Sequence, residues 1–323
     1  MTARHIALAL QGGGAHGAYT WGVLDTLLAD GRFYPAALSG ASAGALNAAL
    51  LADGWMHNGA EGARDSLRRF WQTLAASWQA NTSASLLEGL MQLSHFWTPA
   101  QLNPLGYDPL RQLLQDCIDF SRLVHSPMQL FIAATHVESG RLKLFQTREL
   151  TVEHLQASAC LPQLHRTVWI DGQAYWDGGL SANPPLFPLL YQTALPDIVL
   201  VTLVPQQWPP LPDSAAATER RLHDISFASS LHTELQGLAM ARHEAARGLF
   251  AWGRLERQLR RLRLHHIDAD DTTRQLDSLS KMTPHAGLVQ HLFAAGQART
   301  RQWLASHGDD IGRRNTMSLW RRR

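Results

Sequence analysis

The first 50 residues contain the most constraining feature of this sequence, two short apolar runs that each end in a glycine-rich turn. Ile6–Leu10 leads into Gln11–Gly14, and Ala36–Ser39 leads into Gly40–Gly44. A short continuous apolar run is typical of a strand that is buried on both faces of a parallel sheet. A helical pattern follows each turn. The chain therefore opens with two strand-turn-helix units, which is the pattern of a parallel sheet with crossover helices.

Later segments continue this alternation of short apolar runs and amphipathic stretches. Such alternation is typical of an α/β fold with a mainly parallel central sheet flanked by helices. The sequence predicts further strands over residues 128–135, 141–146, 168–171, 198–204 and 262–265, and further helices over residues 61–79, 213–260 and 286–305.

A proline-rich segment, Val204–Asp213, divides the chain and is the best candidate for a linker or surface loop. Residues 1–204 contain both glycine turns, and we expect them to form the main α/β domain. We expect residues 205–323 to be mostly helical and to pack on that same domain. The chain ends in Arg321–Arg323, which predicts a loose basic tail.

The composition suits a folded globular protein and excludes several classes of partner. Apolar residues make up 45% of the 323 residues and charged residues 17%. The formal net charge is only +2, so no global field attracts nucleic acid or an anionic membrane. No run reaches the roughly 18 apolar residues of a spanning helix, and there is no signal-peptide pattern. We therefore expect a cytoplasmic protein in which any membrane contact is local and peripheral.

Ser42 lies in a Gly-x-Ser-x-Gly turn that has the form of a nucleophile elbow. In such an elbow, a serine on a strained strand-to-helix turn projects its hydroxyl from the edge of the sheet. Gly40 and Gly44 permit the turn, and the positive end of the following helix favours negative charge at the site. The alternative is a tight turn in which Ser42 only caps the helix. Because a strand precedes Ser42 and a helix follows it, we interpret Ser42 as a nucleophile.

Gly12, Gly13 and Gly14 lie in the turn after the first strand. Their amide groups and the following helix N-terminus can bind an oxyanion. Neighbouring parallel strands bring both turns to one edge of the sheet, which places donors beside the nucleophile as acyl transfer requires. The same segment matches the dinucleotide fingerprint Gly-x-Gly-x-x-Gly. The second strand, however, lacks the terminal acidic residue that binds a ribose, so we predict no nucleotide cofactor.

A serine hydroxyl is a poor nucleophile until a base takes its proton, and Asp177 is our candidate for that base. It follows a predicted strand end, and Gly178 and Gly179 allow a tight turn that brings a short side chain to a neighbouring loop. Asp-Gly is also an ordinary turn dipeptide. The prediction therefore depends on the other two motifs.

Together the three motifs resemble those of the patatin-like phospholipases in order and spacing. Residues 38–47 are similar to the family's elbow beyond the five-residue pattern, and Ser158–Pro162 resembles its small-residue segment before the aspartate. The resemblance extends from Ala3 to Pro188. It implies a three-layer α/β fold and a lipid or other acyl ester as substrate, without a cofactor or metal. It also implies a site with Ser42 as nucleophile, Asp177 as base without a histidine, the amides of Gly12, Gly13 and Gly14 as oxyanion hole, and His16, Gly40, Gly44, Gly178 and Gly179 in support.

His16 departs from the family pattern, because many members have Arg or Lys at this position. The charge of Arg or Lys is permanent, whereas an imidazole titrates near neutrality. A protonated His16 would support the oxyanion loop. The interpretation that we favour is a solvated histidine at the start of a helix.

A Ser-Asp dyad also raises a chemical question, because an aspartate with a pKa of about 3.9 is a weak base towards an alcohol. An apolar pocket, with Trp176 next in sequence, would raise the pKa of Asp177 and strengthen it as a proton acceptor. We therefore expect activity to fall on acidification through one carboxyl-like step. A step near neutrality would instead indicate a histidine.

Two alternatives concern the late histidines. An α/β-hydrolase with a Ser-His-Asp triad would need one of the 16 histidines, such as His265 or His266, although Ser42 follows only two strands. A metal site over His265–Asp271 is disfavoured because the spacing matches no familiar metal motif. Cys117 and Cys160 also lack a metal or redox spacing, and we expect both to be buried thiols.

A third alternative is a lipid-binding or regulatory module that keeps the patatin-like fold but does not catalyse a reaction. Trp71, Trp78, Phe96 and Trp97 would then dock at a lipid interface, although aromatic residues at helical spacing more often line a core. Residues 81–106 are either a lid or packing. The lipid headgroup, the acyl chain and the oligomeric state are not specified by the sequence.

Overall fold

The two apolar runs at the start of the chain form neighbouring parallel strands, as predicted. They are β1 (Arg4–Leu10) and β2 (Phe33–Gly40), with Leu10 opposite Gly40 in the register. These strands lie in a computed structural model that describes residues 3–81, 108–205, 211–248, 253–276 and 279–317. Both turns therefore leave the sheet at the same edge.

Six further strands in the described ranges complete one mixed sheet in the order β5-β6-β3-β2-β1-β7-β8, with β4 paired to β3. Strands β1, β2, β3, β7 and β8 are parallel, whereas β4, β5 and β6 run antiparallel to their neighbours. The sequence predicted a strand end at Tyr175–Trp176 without the bounds of the strand, and this strand is β6, which carries Asp177 at its end. The later strands are β3 (Gln129–His136), β4 (Leu142–Gln146), β5 (Val168–Ile170), β6 (Gln173–Asp177), β7 (Asp197–Thr202) and β8 (Arg263–Asp268).

Helices cover both faces of the sheet, so the predicted three-layer α/β arrangement is confirmed. On β1, Ile6, Leu8 and Leu10 face one buried cluster, whereas Ala7 and Ala9 face another. The helices are α1 (Gly17–Asp30), α2 (Ala43–Asn81), α3 (Pro109–Cys117), α4 (Phe120–Leu123), α5 (Val152–Ser158), α6 (Phe187–Gln192), α7 (Ala215–Arg247), α8 (Arg254–Arg261), α9 (Asp270–Thr273) and α10 (Ala286–His307). Helices α1, α2 and α10 contribute to the first cluster, and α6, α7 and α8 contribute to the second.

Helix α2 is interrupted by non-helical backbone at Asn58 and Gly59, so it consists of two helical segments, as the sequence predicts. Phe70 and Trp71 on this helix line the core rather than a lipid interface, and Trp71 Nε1 donates to Asn47 Oδ1 at 2.9 Å, whereas Trp78 is half-buried. Phe96 and Trp97 lie outside the described residues, as does the rest of the segment 82–106, for which the sequence left a lid and packing as alternatives.

The C-terminal region contacts the first half of the chain directly. Helix α10 packs along α1, where the Trp21 and Phe293 rings stack with centroids 3.9 Å apart. A Cβ on Gly296 would lie 2.2 Å from the carbonyl oxygen of Tyr19, so the two backbones meet without a side chain between them. The predicted tail Arg321–Arg323 lies outside the described residues.

Substitution of Gly296 with alanine is expected to lower the free energy of unfolding by about 2 to 4 kcal/mol, because the added methyl forces α1 and α10 apart. Gly287 on the same helix is a matched control, since a Cβ there meets nothing closer than 3.5 Å. Gly287→Ala should change stability by no more than about 1 kcal/mol. Urea denaturation of both variants gives the comparison. Equal effects would contradict the close helix contact.

Candidate active site

Ser42 occupies a strained turn between β2 and α2. Its φ is 51°, in the left-handed region that non-glycine residues rarely adopt. The flanking glycines are required by close backbone contacts: a Cβ on Gly44 would lie 2.1 Å from the carbonyl oxygen of Leu10, and one on Gly40 would lie 2.6 Å from the carbonyl carbon of Gly44. The local geometry is therefore that of a nucleophile elbow.

The strained conformation of Ser42 is supported by a residue from a distant segment. The Ser42 amide donates to both the carbonyl oxygen and the Oγ of Ser158, each at 3.1 Å. Ser158 ends α5 and is fully buried. This bifurcated bond satisfies an N–H that the turn would otherwise leave unpaired.

The glycine loop Gly12–Gly14 lies directly against the elbow. A Cβ on Gly12 would lie 2.7 Å from Ser42 Cβ. The Gly12 amide donates to Asn183 Oδ1 at 2.7 Å, so it is already occupied. In the part of the chain that the structure describes, the amides of Gly13 and Gly14 have no hydrogen-bond partner. Two of the three predicted oxyanion donors are therefore unpaired in the described chain.

Two polar side chains connect this loop to the sheet and to the segment after Asp177. Gln11 Nε2 donates to the carbonyl oxygen of Asn183 at 3.3 Å. Gln11 Oε1 accepts from the amides of Leu203 and Val204 at 2.6 and 2.9 Å. Gln11 and Asn183 are both fully buried, so the loop is held at a fixed position on the sheet edge.

Asp177 ends β6 beside β3 and is fully buried. Its Oδ1 accepts from the Gly179 amide at 2.7 Å, whereas its Oδ2 has no hydrogen-bond partner in the described chain. Burial raises the pKa of the Asp177 carboxyl to about 7, against the lowering effects of the Gly179 amide and the nearby Ser42 hydroxyl. The carboxylate therefore has far greater basicity than an exposed aspartate.

The glycines after Asp177 are needed because the chain passes close to other groups. A Cβ on Gly178 would lie 2.1 Å from the carbonyl oxygen of Ala133, and one on Gly179 would lie 2.7 Å from Phe227 Cε1. Trp176 is next to Asp177 in sequence, but its indole N–H has a different partner. Neighbouring residues of a strand point to opposite faces, and the Trp176 indole donates to Thr167 Oγ1 at 3.0 Å.

The pKa of Asp177 changes the interpretation of a pH profile. We expected a step near neutrality to indicate a histidine. Burial raises the pKa of the Asp177 carboxyl itself to near neutrality, so a step there does not distinguish this aspartate from a histidine. A histidine can instead be recognised by its contacts.

His16 is not the solvated residue that we predicted. Its side chain is 2% exposed, and Nε2 lies 2.7 Å from Ser280 Oγ. Burial, together with the charge of Lys281, lowers the pKa of His16 to about 3. The imidazole is therefore neutral at physiological pH, which also contradicts a protonated His16 beside the loop. The tertiary contact with the C-terminal region gave no signal in the sequence.

The late histidines have other partners. His265 bonds to Asp197 Oδ1 and Thr316 Oγ1, both at 3.1 Å, and His266 Nε2 lies 2.8 Å from Thr202 Oγ1. Within the described residues, no histidine is hydrogen-bonded to Ser42, and no group of three or more His, Cys, Asp or Glu could hold a metal ion. The geometry therefore gives the triad and the metal site no support.

Cys117 and Cys160 are free and buried, as predicted.

Sequence reasoning missed Asn183 as a residue of this site. It lies in Ser181–Pro185, six residues after Asp177, where a single amide between small residues and prolines was the only signal. Its buried side chain fixes the Gly12 end of the loop through bonds in both directions, since Asn183 Nδ2 also donates to the Gly12 carbonyl at 3.4 Å.

Asn183→Ala is expected to lower kcat for the acyl transfer that the motifs predict by about 10- to 100-fold, because it releases the Gly12 amide and loosens the loop beside Ser42. Steady-state kinetics with p-nitrophenyl butyrate measures the effect. Asn58→Ala, at an exposed position in the α2 interruption, is the control and should stay within about twofold. Full activity of Asn183→Ala would contradict a role for this residue in loop geometry.

Fold and site together define an α/β protein with a serine elbow beside a glycine-rich loop. The family model described as patatin-like phospholipase matches residues 8–190, more than half of the 323 residues. The chain belongs to the patatin-like phospholipase family, a family of lipid hydrolases, and the resemblance inferred from the motifs is confirmed. A comparison with curated proteins gives no match.

Solved structures with partial similarity include bacterial effector proteins. VipD from Legionella pneumophila is 14% identical with a TM-score of 0.45, and the match covers 94% of this chain and 67% of VipD. The type III effector ExoU is 17% identical with a TM-score of 0.34, covering 96% of this chain and 59% of ExoU. ExoU from Pseudomonas aeruginosa in complex with SpcU is 16% identical with a TM-score of 0.34, and the match covers 97% of this chain and 80% of that ExoU chain. This chain thus spans under two thirds of one ExoU chain.

Proposed function

We propose that this protein is a serine acyl hydrolase that cleaves lipid esters with Ser42 as nucleophile and Asp177 as base. The observation that carries the proposal is the buried Asp177 carboxylate, whose Oδ2 has no hydrogen-bond partner in the described chain and whose pKa burial raises while the nearby Ser42 hydroxyl lowers it. A base with a pKa of about 7 is well matched to proton transfer at neutral pH.

In the first half-reaction, Ser42 Oγ attacks the acyl carbonyl carbon while Asp177 Oδ2 takes the hydroxyl proton. The carbonyl oxygen becomes an oxyanion, which the amides of Gly13 and Gly14 stabilise together with the N-terminal end of α2. Collapse of this tetrahedral intermediate breaks the ester bond. The alcohol leaves with the proton from Asp177, and the acyl group remains on Ser42.

Water completes the cycle. Asp177 accepts a proton from the attacking water, whose oxygen adds to the acyl carbon and forms a second oxyanion in the same loop. Breakdown returns the proton to Ser42 Oγ and releases the carboxylic acid. One carboxylate therefore acts as base and then as acid in each half-reaction, without a histidine.

A lipid as substrate is supported by family membership and by apolar residues near the site. Leu180, three residues after Asp177, is 41% exposed, and Leu222 on α7 is 61% exposed. Within the described residues, no helix is long and apolar enough to cross a bilayer. We propose a peripheral contact in which the apolar surface near Leu180 meets the lipid. We further propose that residues 1–204 carry the catalytic groups and that residues 205–323 support them.

Incubation of the purified protein with vesicles of phosphatidylcholine and phosphatidylglycerol tests this function. We expect free fatty acid and lysolipid, detected by mass spectrometry, and a covalent adduct on Ser42 after treatment with a fluorophosphonate. Vesicle binding without ester cleavage or adduct would support the non-catalytic module instead.

A further inference from the structure

A 3₁₀ turn from the C-terminal region, Leu279–Met282, lies directly on the glycine loop. A Cβ on Gly14 would be 2.2 Å from the carbonyl oxygen of Lys281. The two backbones are therefore in contact, and Gly14, with a φ of 58°, has no room for a side chain. This contact joins segments that are more than 260 residues apart in sequence.

A second contact lies beside the first. Ser280 Oγ is 2.7 Å from His16 Nε2, and both side chains are buried. His16 belongs to the short helical turn Gly14–His16 that leads into α1. Because the imidazole is neutral, this is a hydrogen bond between two uncharged groups, which is sensitive to small displacements.

Helix α7 holds the turn Leu279–Met282 in place. Lys281 Nζ donates to Asp224 Oδ1 at 2.6 Å, and the two side chains are only 20% and 7% exposed. Three residues further along α7, Phe227 packs on Gly179 beside Asp177. Helix α7 therefore touches the base side of the site directly and the glycine loop through Lys281.

We infer that the turn Leu279–Met282, held by the Lys281–Asp224 ion pair, sets the geometry of the Gly13 and Gly14 amides, so that Ser280 and Lys281 are positioning residues for the acyl transfer. This inference rests on the proposed function, because it assigns these amides to the oxyanion. Neither residue needs to touch the substrate. Lys281 acts through the backbone of Gly14, and Ser280 acts through the side chain of His16.

The size of the effect follows from the sensitivity of oxyanion stabilisation to distance. Removal of one preorganised donor costs about 10²- to 10³-fold in kcat, and a displaced donor costs part of that. Ser42 and Asp177 keep their own contacts with Ser158 and Gly179 when the turn is altered. Loss of the turn should therefore lower kcat and leave KM for a small ester nearly unchanged.

Kinetics with p-nitrophenyl butyrate separates positioning from general stability. Ser280→Ala and Lys281→Met are each expected to lower kcat by about 10- to 50-fold with KM within about twofold. Lys281→Arg keeps a cation for Asp224 and should recover most of the kcat lost in Lys281→Met. Ser306→Ala, at an exposed serine of α10, is the control and should match wild type. Unchanged kcat in folded Ser280→Ala and Lys281→Met would overturn the inference.

Hydrogen exchange gives a readout that does not depend on turnover. Peptides that span residues 8–21 should exchange faster in Ser280→Ala and Lys281→Met than in wild type or Ser306→Ala, while peptides from β7 stay protected. Unchanged exchange over residues 8–21 would overturn the inference whatever the activity. A wild type without hydrolysis would overturn the proposed function alone, and exchange would still decide whether the turn fixes the loop.

Discussion

Ser42→Ala is expected to lower kcat for ester hydrolysis by about 10⁴-fold or more, because the acyl group then has no nucleophile to receive it. The remaining rate would come from the oxyanion donors acting on a water molecule. The fold should persist, since the Ser42 backbone keeps its bonds to Ser158 and alanine tolerates the site without added volume. Fatty-acid release from phospholipid vesicles and hydrolysis of p-nitrophenyl butyrate both measure the loss.

Ser39→Ala is the matched control. Ser39 lies on β2, three residues before Ser42, is fully buried, and its Oγ makes no hydrogen bond in the described chain. Its removal should change kcat by less than about twofold. A fluorophosphonate should label wild type and Ser39→Ala at Ser42 and fail to label Ser42→Ala. Labelling of a different serine would reassign the nucleophile.

Asp177→Asn is expected to lower kcat by about 10³-fold or more and, at the same time, to stabilise the fold above neutral pH. Asparagine is nearly isosteric and still accepts from the Gly179 amide, but it cannot take the proton of Ser42. It also removes a buried negative charge. Loss of activity with a gain in stability is the combination expected of a group kept for chemistry rather than for folding.

The sign of the pH dependence follows from the raised pKa of Asp177. Its folded value of about 7 lies above the usual 3.8, so the carboxyl stabilises the fold fully below pH 3.8 and loses that contribution as the pH rises to about 7. The stability advantage of Asp177→Asn over wild type should therefore grow by about 2 to 3 kcal/mol between pH 5 and pH 8. Urea denaturation at the two pH values measures it.

Asp171→Asn provides the comparison for this effect. Asp171 is an exposed turn residue with a positive φ that asparagine also tolerates. The substitution should leave kcat within about twofold and give no growing advantage with pH. An Asp177→Asn variant that behaves in the same way would show that this carboxyl is neither the base nor a destabilising buried charge.

The opening of the fold was predictable because its determinants are local. Each short apolar run in the first 50 residues ends in a turn, and Gly12, Gly40 and Gly44 in these turns are required by contacts of 2.1 to 2.6 Å within the same two units. Adjacent parallel strands then place Gly12 against Ser42, as the sequence indicated. For strand β6 only the end beside Asp177 was predicted, because its pattern, Gln173–Asp177, is short and only partly apolar.

The contacts that complete the site were not predictable, because each joins distant segments. Ser158, Asn183 and Ser280 reach the elbow or the loop across 116 to 264 residues. Nothing in the local sequence indicates such a partner. The burial of His16 is the clearest case: its pattern fits an exposed helix start, and only the packing of the C-terminal turn makes it a buried neutral group.

Strand β7 and the turn Leu279–Met282 both lie beyond the segment that matches the family, yet one pairs with β1 and the other rests on Gly14. Residues 8–190 are consequently not a portable module. A chimera that carried only this segment into another protein would arrive with an unpaired side on β1 and an unsupported loop, however intact its Ser42 and Asp177. The unit that must be inherited, transplanted or engineered as a whole extends at least to Met282.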